Sequence, residues 1–194
     1  MELIEKGLDN SMSYAEYREL VSNLLDKNKS TTEGGPEDLV NYSKLNHSRM
    51  KRLDKTTKLA DDTIEKFGQI DKKITWLVLS EGWCGDAAQN LPVINKLAET
   101  NENIELRIVL RDKNPELMNE FLTNGGQSIP KLIQLENNKV TKTWGPRPTI
   151  ATQMVVDYKA KHGKVDAEFK KELQSWYNKN KSQNVIEDLT ELIF

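Results

Sequence analysis

Cys84 is the only cysteine in the 194-residue chain, and it stands where an apolar run gives way to a helix. Trp76-Leu77-Val78-Leu79 ends at Ser80-Glu81-Gly82, and a long apolar-periodic segment starts at the cysteine. A thiol in the first turn of a helix meets unpaired backbone N–H groups and the positive end of the dipole, and both favour thiolate. The expectation is therefore an accessible, thiolate-biased nucleophile, not the small buried hydrophobe that a lone cysteine otherwise makes. With no second cysteine in the chain, any disulfide formed by Cys84 joins it to another molecule. Asp86 suits the dipole at the helix start, yet its charge opposes a nearby thiolate. A simple helix-start residue and a functional carboxylate both stay open for it.

Trp83-Cys84-Gly85-Asp86-Ala87 resembles the Trp-Cys-Gly-x-Cys signature of the thioredoxin superfamily, with Ala87 in the place of the second cysteine. Other segments agree in order and spacing. Pro92 lies within the helix, eight residues after Cys84. Ser128-Ile129-Pro130, followed by Leu132-Ile133, resembles the cis-proline loop and the strand after it. Asn137-Asn138-Lys139 turns the chain into a strand that reaches Trp144-Gly145, where thioredoxins border their substrate groove with a glycine. The segments Tyr42–Asn46, Arg52–Thr56 and Trp144–Pro148 are similar to a bacterial thioredoxin-like family with a helical N-terminal extension. The resemblance implies a thioredoxin-like α/β fold and a cis bond at Pro130. It also implies a groove bordered by Ser128, Ile129, Trp144, Gly145 and Arg147. For Arg147, a structural salt bridge is preferred over a contact to a bound carboxylate.

The departures bear on activity. The resolving thiol that releases a mixed disulfide is missing at Ala87. Val78, six residues before Cys84, occupies the place of the buried acid that thioredoxins carry there. Both losses fall on one dithiol pathway. The leading expectation is monothiol thiol–disulfide exchange through Cys84, with an external thiol for release. The alternatives are a redox-inactive module that binds a peptide or protein in the cis-proline groove, and a one-cysteine peroxide sensor that passes through a sulfenic acid.

Other chemistries find few residues. The two histidines, His47 and His162, lie far in sequence from Cys84, which disfavours a cysteine–histidine protease and a zinc site. No Gly-rich phosphate loop occurs, and Gly125-Gly126 reads as a turn. The expectation is no cofactor and no metal. A formal net charge of −2 gives no field aimed at nucleic acid or anionic membrane, so the expected partners are protein or small-molecule thiols and disulfides, with a protein partner at the helical extension as a further option. Met1-Glu2-Leu3-Ile4-Glu5-Lys6 lacks the pattern of a signal peptide, and one cysteine suits a reducing compartment, so a cytoplasmic location is expected.

The elements that must position Cys84 follow from periodicity. A capping-box helix is expected over Ser13–Lys27, then a loop over Lys29–Pro36. A long helix is expected from Glu37 to Phe67, with Leu39, Tyr42, Leu45, Leu53, Leu59, Ile64 and Phe67 on its apolar face. Its basic stripe (Lys44, Arg49, Lys51, Arg52, Lys55, Lys58) reads as a solvated face balanced by Asp54, Asp61, Asp62 and Glu65. Strands are expected at Ile74–Leu79 and Ile104–Leu110, parallel because a helix joins them, and a hairpin at Lys131–Leu135 and Val140–Trp144. Helices are expected at Pro115–Leu122, Thr149–Lys161, Asp166–Asn178 and Val185–Ile193. The resulting division is a helical extension over residues 1–70 packed on the core, a thioredoxin-like core over 71–162, and C-terminal helices over 163–194.

Overall fold

The structure is a computed structural model and describes residues 2–194; Met1, the first residue of the segment read above for a leader, lies outside them. Four helices precede the first strand: α1 (Glu2–Asp9), α2 (Tyr14–Asp26), α3 (Glu37–Thr56) and α4 (Asp61–Gly68). Then follow β1 (Ile74–Ser80), α5 (Gly85–Ala98), β2 (Ile104–Leu110), α6 (Pro115–Glu120), β3 (Lys131–Glu136) and β4 (Lys139–Trp144). The chain ends with α7 (Thr149–His162), α8 (Ala167–Asn180) and α9 (Gln183–Ile193).

The sheet order is β2-β1-β3-β4. β1 and β2 run parallel in register from Ile74 opposite Ile104 to Ser80 opposite Leu110, and α5 is their crossover. β3 lies antiparallel to β1, and β4 antiparallel to β3. Asn137 and Asn138, both at positive φ, make the tight turn of the last hairpin. β4 is an edge strand with lysines at 139 and 142 on its exposed length, and the backbone of Met12 pairs with Ile108 on the opposite edge.

The sheet's apolar residues form one core with the N-terminal helices and α9. Trp76, Leu77, Val78 and Leu79 have no exposed surface, and Ile4, Tyr17, Val21, Met50, Phe67, Val185 and Leu189 pack into the same cluster. Ser13 caps α2 in both directions: its hydroxyl accepts from the Glu16 N–H at 3.3 Å, and Glu16 accepts from the Ser13 N–H at 2.7 Å. A second, smaller cluster joins α7 to α8 through Ala151, Val155, Phe169, Leu173 and Tyr177.

Two expectations about the extension change. The single helix over Glu37–Phe67 is two helices, because Thr57 and Ala60 are extended and Leu59 turns in to pack against the core. Thr56 and Thr57 are β-branched, and Asp61 and Asp62 suit a new first turn. The face of α3 also differs. Val40, Ser43, Asn46, Met50 and Leu53 are buried, while Tyr42 and Leu45 are 52% and 55% exposed. Helix α1 has no counterpart in the sequence reading. No helix among the described residues is long and apolar enough to cross a membrane.

Candidate functional site

Cys84 is the N-cap of α5, with extended backbone (φ −78°, ψ 116°). Its sulfur accepts from the Ala87 N–H at 3.4 Å, and its thiol donates to the Ile129 carbonyl at 3.2 Å. The Ile129–Pro130 peptide bond is cis, as is Gly145–Pro146. At Gly145 (φ +105°) any Cβ would collide with the Pro130 carbonyl oxygen, so glycine is required where this segment backs the proline loop.

The sulfur is not the accessible thiolate expected above. Cys84 is 8% exposed, and burial pushes its pKa up to about 12, with the Asp86 charge adding to the rise. The Ala87 and Asp86 N–H groups and the Arg147 guanidinium act in the opposite direction and do not win. The thiol is therefore protonated at neutral pH, in keeping with its donation to Ile129. The difference comes from tertiary structure: α3 and α8 reach over the helix start that sequence alone leaves open.

Asp86 is buried at the start of α5 and ties the roof to it. Its carboxylate pairs with Arg147 at 2.7 Å and accepts from the Tyr177 hydroxyl at 3.1 Å. Burial raises its pKa, against the lowering effect of Arg147, Tyr177 and Arg49. Arg147 thus makes the expected salt bridge, while its Nε has no hydrogen-bond partner among the described residues. Gln89 donates to Gln174 of α8 at 2.9 Å, a second link across the same gap.

Trp83 donates its indole N–H to Thr32 Oγ1 at 2.8 Å, and the Arg111 guanidinium lies 4.9 Å over its ring. Ala87 is buried one turn into α5. Ser128 and Ile129 border the cavity above the sulfur, as do Gly85, Asp86 and Arg147. Trp144 does not: it is buried, and its indole donates to Asp188 of α9 at 3.1 Å. Gly145 and Pro130 stand behind the loop instead of lining the cavity.

Several residues outside the sequence-derived set hold the motif. Glu81 has no exposed surface. Its carboxylate accepts from the Asp112 N–H at 2.9 Å and from the Thr31 hydroxyl, and burial pushes its pKa up. Thr31 Oγ1 also accepts from the Gly82 N–H at 3.1 Å, and Asn46 donates to the Gly82 carbonyl at 3.2 Å. Residues of the extension thereby fix both polar groups of the backbone just before Trp83. The only sequence signal was a carboxylate directly after an apolar strand. A buried acid thus exists near the motif, three residues before Cys84 instead of six.

The cavity above the sulfur is an open groove of about 510 Å³. Leu39, Tyr42 and Leu45 of α3 form one wall; Val155, Val165 and Leu173 form the other. Among the described residues no cluster of three or more His, Cys, Asp or Glu side chains is arranged for a metal ion.

Comparison with known proteins gives the fold a lineage. No curated protein matches this chain. A crystal structure of a protein of unknown function from Pseudomonas aeruginosa aligns with a TM-score of 0.57 at 16% identity, over 94% of this chain and 97% of that one. The crystal structure of an HIV epitope scaffold aligns with the same TM-score at 19% identity, over 94% of this chain and 98% of that one. At such identity these neighbours speak for the fold alone. A family model described as thioredoxin matches residues 35–170, well over half of the chain and including Cys84, the proline loop and both hairpin strands. The mixed sheet, the cysteine-capped helix and this match together place the chain in the thioredoxin family.

Proposed function

We propose that the protein is a monothiol member of its family, a cytoplasmic one with a single reactive cysteine and no internal resolving thiol. The observation that carries this reading is the Cys84 sulfur at the N-cap of α5, 3.2 Å from the carbonyl before Pro130, on the floor of an open groove. The reaction has two steps. The Cys84 thiol loses its proton to solvent base, and its sulfur attacks one sulfur of a disulfide R–S–S–R′. The S–S bond breaks, and R′–S⁻ leaves and is protonated. An external thiol R″–SH then attacks the R sulfur of the mixed disulfide, restores the Cys84 thiol and releases R–S–S–R″. The motif Trp83–Ala87 and the helices before β1 support grouping it with bacterial single-cysteine relatives that carry a helical extension.

The burial of Cys84 and its high pKa favour a second reading, a binding module in which the thiol is a bystander. Exposure to an aromatic disulfide, followed by mass spectrometry, separates the two. The monothiol reading expects a stoichiometric adduct on Cys84, its release by added small thiol, no adduct on Cys84→Ser, and an internal disulfide in Ala87→Cys. Folded protein that forms no adduct over hours at pH 8 favours the binding module.

A further inference from the structure

The groove face of α3 reads Leu39, Tyr42, Leu45, Arg49, a helical stripe that is apolar for two turns and ends in a cation. Tyr42 and Leu45 are among the most exposed large apolar side chains of the protein. Across the groove, Val165 and Leu173 form an apolar wall, with Lys170 beside them. The Arg49 guanidinium reaches inward over the start of α5: its Nη1 lies 3.8 Å from where a side chain on Gly85 would begin. That nitrogen donates to Asn46 Oδ1 at 2.6 Å. Among the described residues Arg49 forms no ion pair, and neither does Lys170. The titratable side chains on the groove are Cys84, Tyr42, the cations Arg49, Arg111, Arg147 and Lys170, and a single carboxylate, Asp86, already committed to Arg147. The one carboxylate that acts on Arg49, Asp86, is held by Arg147, so the half-buried Arg49 guanidinium keeps donors to offer a bound anion. This concentration of positive charge is local, since the chain as a whole is at −2.

We propose that the groove binds a small amphipathic carboxylate, with its headgroup on Arg49 beside Cys84 and its apolar chain between the Leu39–Tyr42–Leu45 wall and Leu173. Arg49 is the residue suited to this, because a guanidinium takes a carboxylate through two parallel hydrogen bonds. From Leu39 to Arg49 the helix rises roughly 15 Å, which sets the ligand at a chain of about ten carbons. The apolar walls explain why the ligand is not a simple inorganic anion, and the free cation explains why it is not a neutral lipid. This inference does not use the sulfur, so it holds under either reading of Cys84.

The test is calorimetric titration of the full chain carrying Cys84→Ser, which removes thiol chemistry, with decanoate as the probe. Decanol and decyltrimethylammonium serve as the neutral and cationic controls. Saturable one-to-one binding of decanoate is expected, about tenfold or more tighter than either control. Arg49→Gln lowers the affinity by about tenfold or more, and Arg49→Lys retains part of it. Because Arg49 also contacts Asn46, a variant that leaves that hydrogen bond in place gives a separate check. Leu45→Ser, at an exposed wall position, removes apolar surface without adding a charge beside Arg49 and is expected to weaken decanoate binding severalfold. Equal affinity for decanoate and decanol, undiminished binding by folded Arg49→Gln and Leu45→Ser, or capture of an acidic peptide with no binding of decanoate overturns the proposal. Because the titration is done without the thiol, its failure leaves the exchange reaction standing, and failure of exchange leaves this site standing.

Discussion

Beneath Cys84, β1 carries Trp76, Leu77, Val78 and Leu79 with no exposed surface, packed against helices from both ends of the chain. Above it, α7 and α8 share a small cluster of their own and reach the rest of the protein largely through polar contacts. Those contacts include Tyr177 of α8 and Arg147, just before α7, to Asp86, Gln174 to Gln89, Asn178 to Arg52, and Thr149 and Ile150 of α7 to Asp188 and Asn184 of α9. The floor is held by buried apolar area, which nothing short of unfolding returns to water. The roof is held by a few directional bonds, each worth about 0.5–1.5 kcal/mol net, or more where charged. Access to the sulfur is therefore a property of the roof, and stability a property of the floor.

Substitutions sharpen that contrast in order of size. Trp76→Ala removes a fully buried ring and leaves Gln134, which accepts its indole N–H at 3.1 Å, without that partner. A loss of about 3–5 kcal/mol is expected by denaturant unfolding. Leu173→Ala is also a buried truncation, but its site opens onto the groove and water fills the space. Its expected loss is smaller, about 1.5–3 kcal/mol, and it quickens alkylation of Cys84. Equal losses in the two variants would break the distinction between floor and roof.

Asp86→Asn acts on the link itself. It removes the charge that opposes the thiolate and leaves Arg147 free to favour it, so the Cys84 pKa falls. Alkylation at fixed pH is expected to speed up, by about three- to fourfold for each unit of fall, because the gain in thiolate is partly offset by its lower nucleophilicity. Stability drops by about 1–3 kcal/mol, less than for a fully buried pair because Arg147 is partly solvated. Unchanged alkylation would mean that Asp86 does not govern the sulfur.

The smallest expected effect is a pH dependence at Glu81. Burial holds its folded pKa above the ordinary 4.5, so the folded state binds this proton more readily than the unfolded chain. The corresponding stabilisation is complete below 4.5 and is lost as pH rises through the folded value. Glu81→Gln lacks this term. The stability of the unmodified protein relative to the variant is therefore expected to fall with rising pH, as read by denaturant unfolding at a series of pH values; a relative rise would contradict the sign.

The same contrast explains what was legible in the sequence. β2 could be read residue for residue, because Ile104, Leu106 and Ile108 alternate with Glu105 and Arg107, the period-two pattern of a strand with one buried face. The cysteine-capped helix, the hairpin and the Ser13 cap were legible for similarly local reasons. The face of α3 was not. Ser43 and Asn46 are buried because each finds a hydrogen bond, to the Leu39 carbonyl at 2.7 Å and the Gly82 carbonyl at 3.2 Å. Tyr42 and Leu45 are left at the groove, so a hydrophobic count selects the wrong stripe. Arg49 was misread as part of a solvated face for the same reason. Gln174, ninety residues downstream of Cys84, lies over the next residue, Gly85, and no local signal encodes that proximity.

The central claim is that Cys84 is a roofed thiol, protonated at rest, on the floor of a groove. The most direct measurement is the second-order rate of its alkylation by iodoacetamide in the folded protein across pH 7 to 10, followed by intact mass. With the pKa pushed up to about 12, the logarithm of the rate is expected to rise by about one per pH unit with no plateau, well below the rate of a free thiol. A plateau with a midpoint near or below pH 8 would show an accessible thiolate and contradict the account.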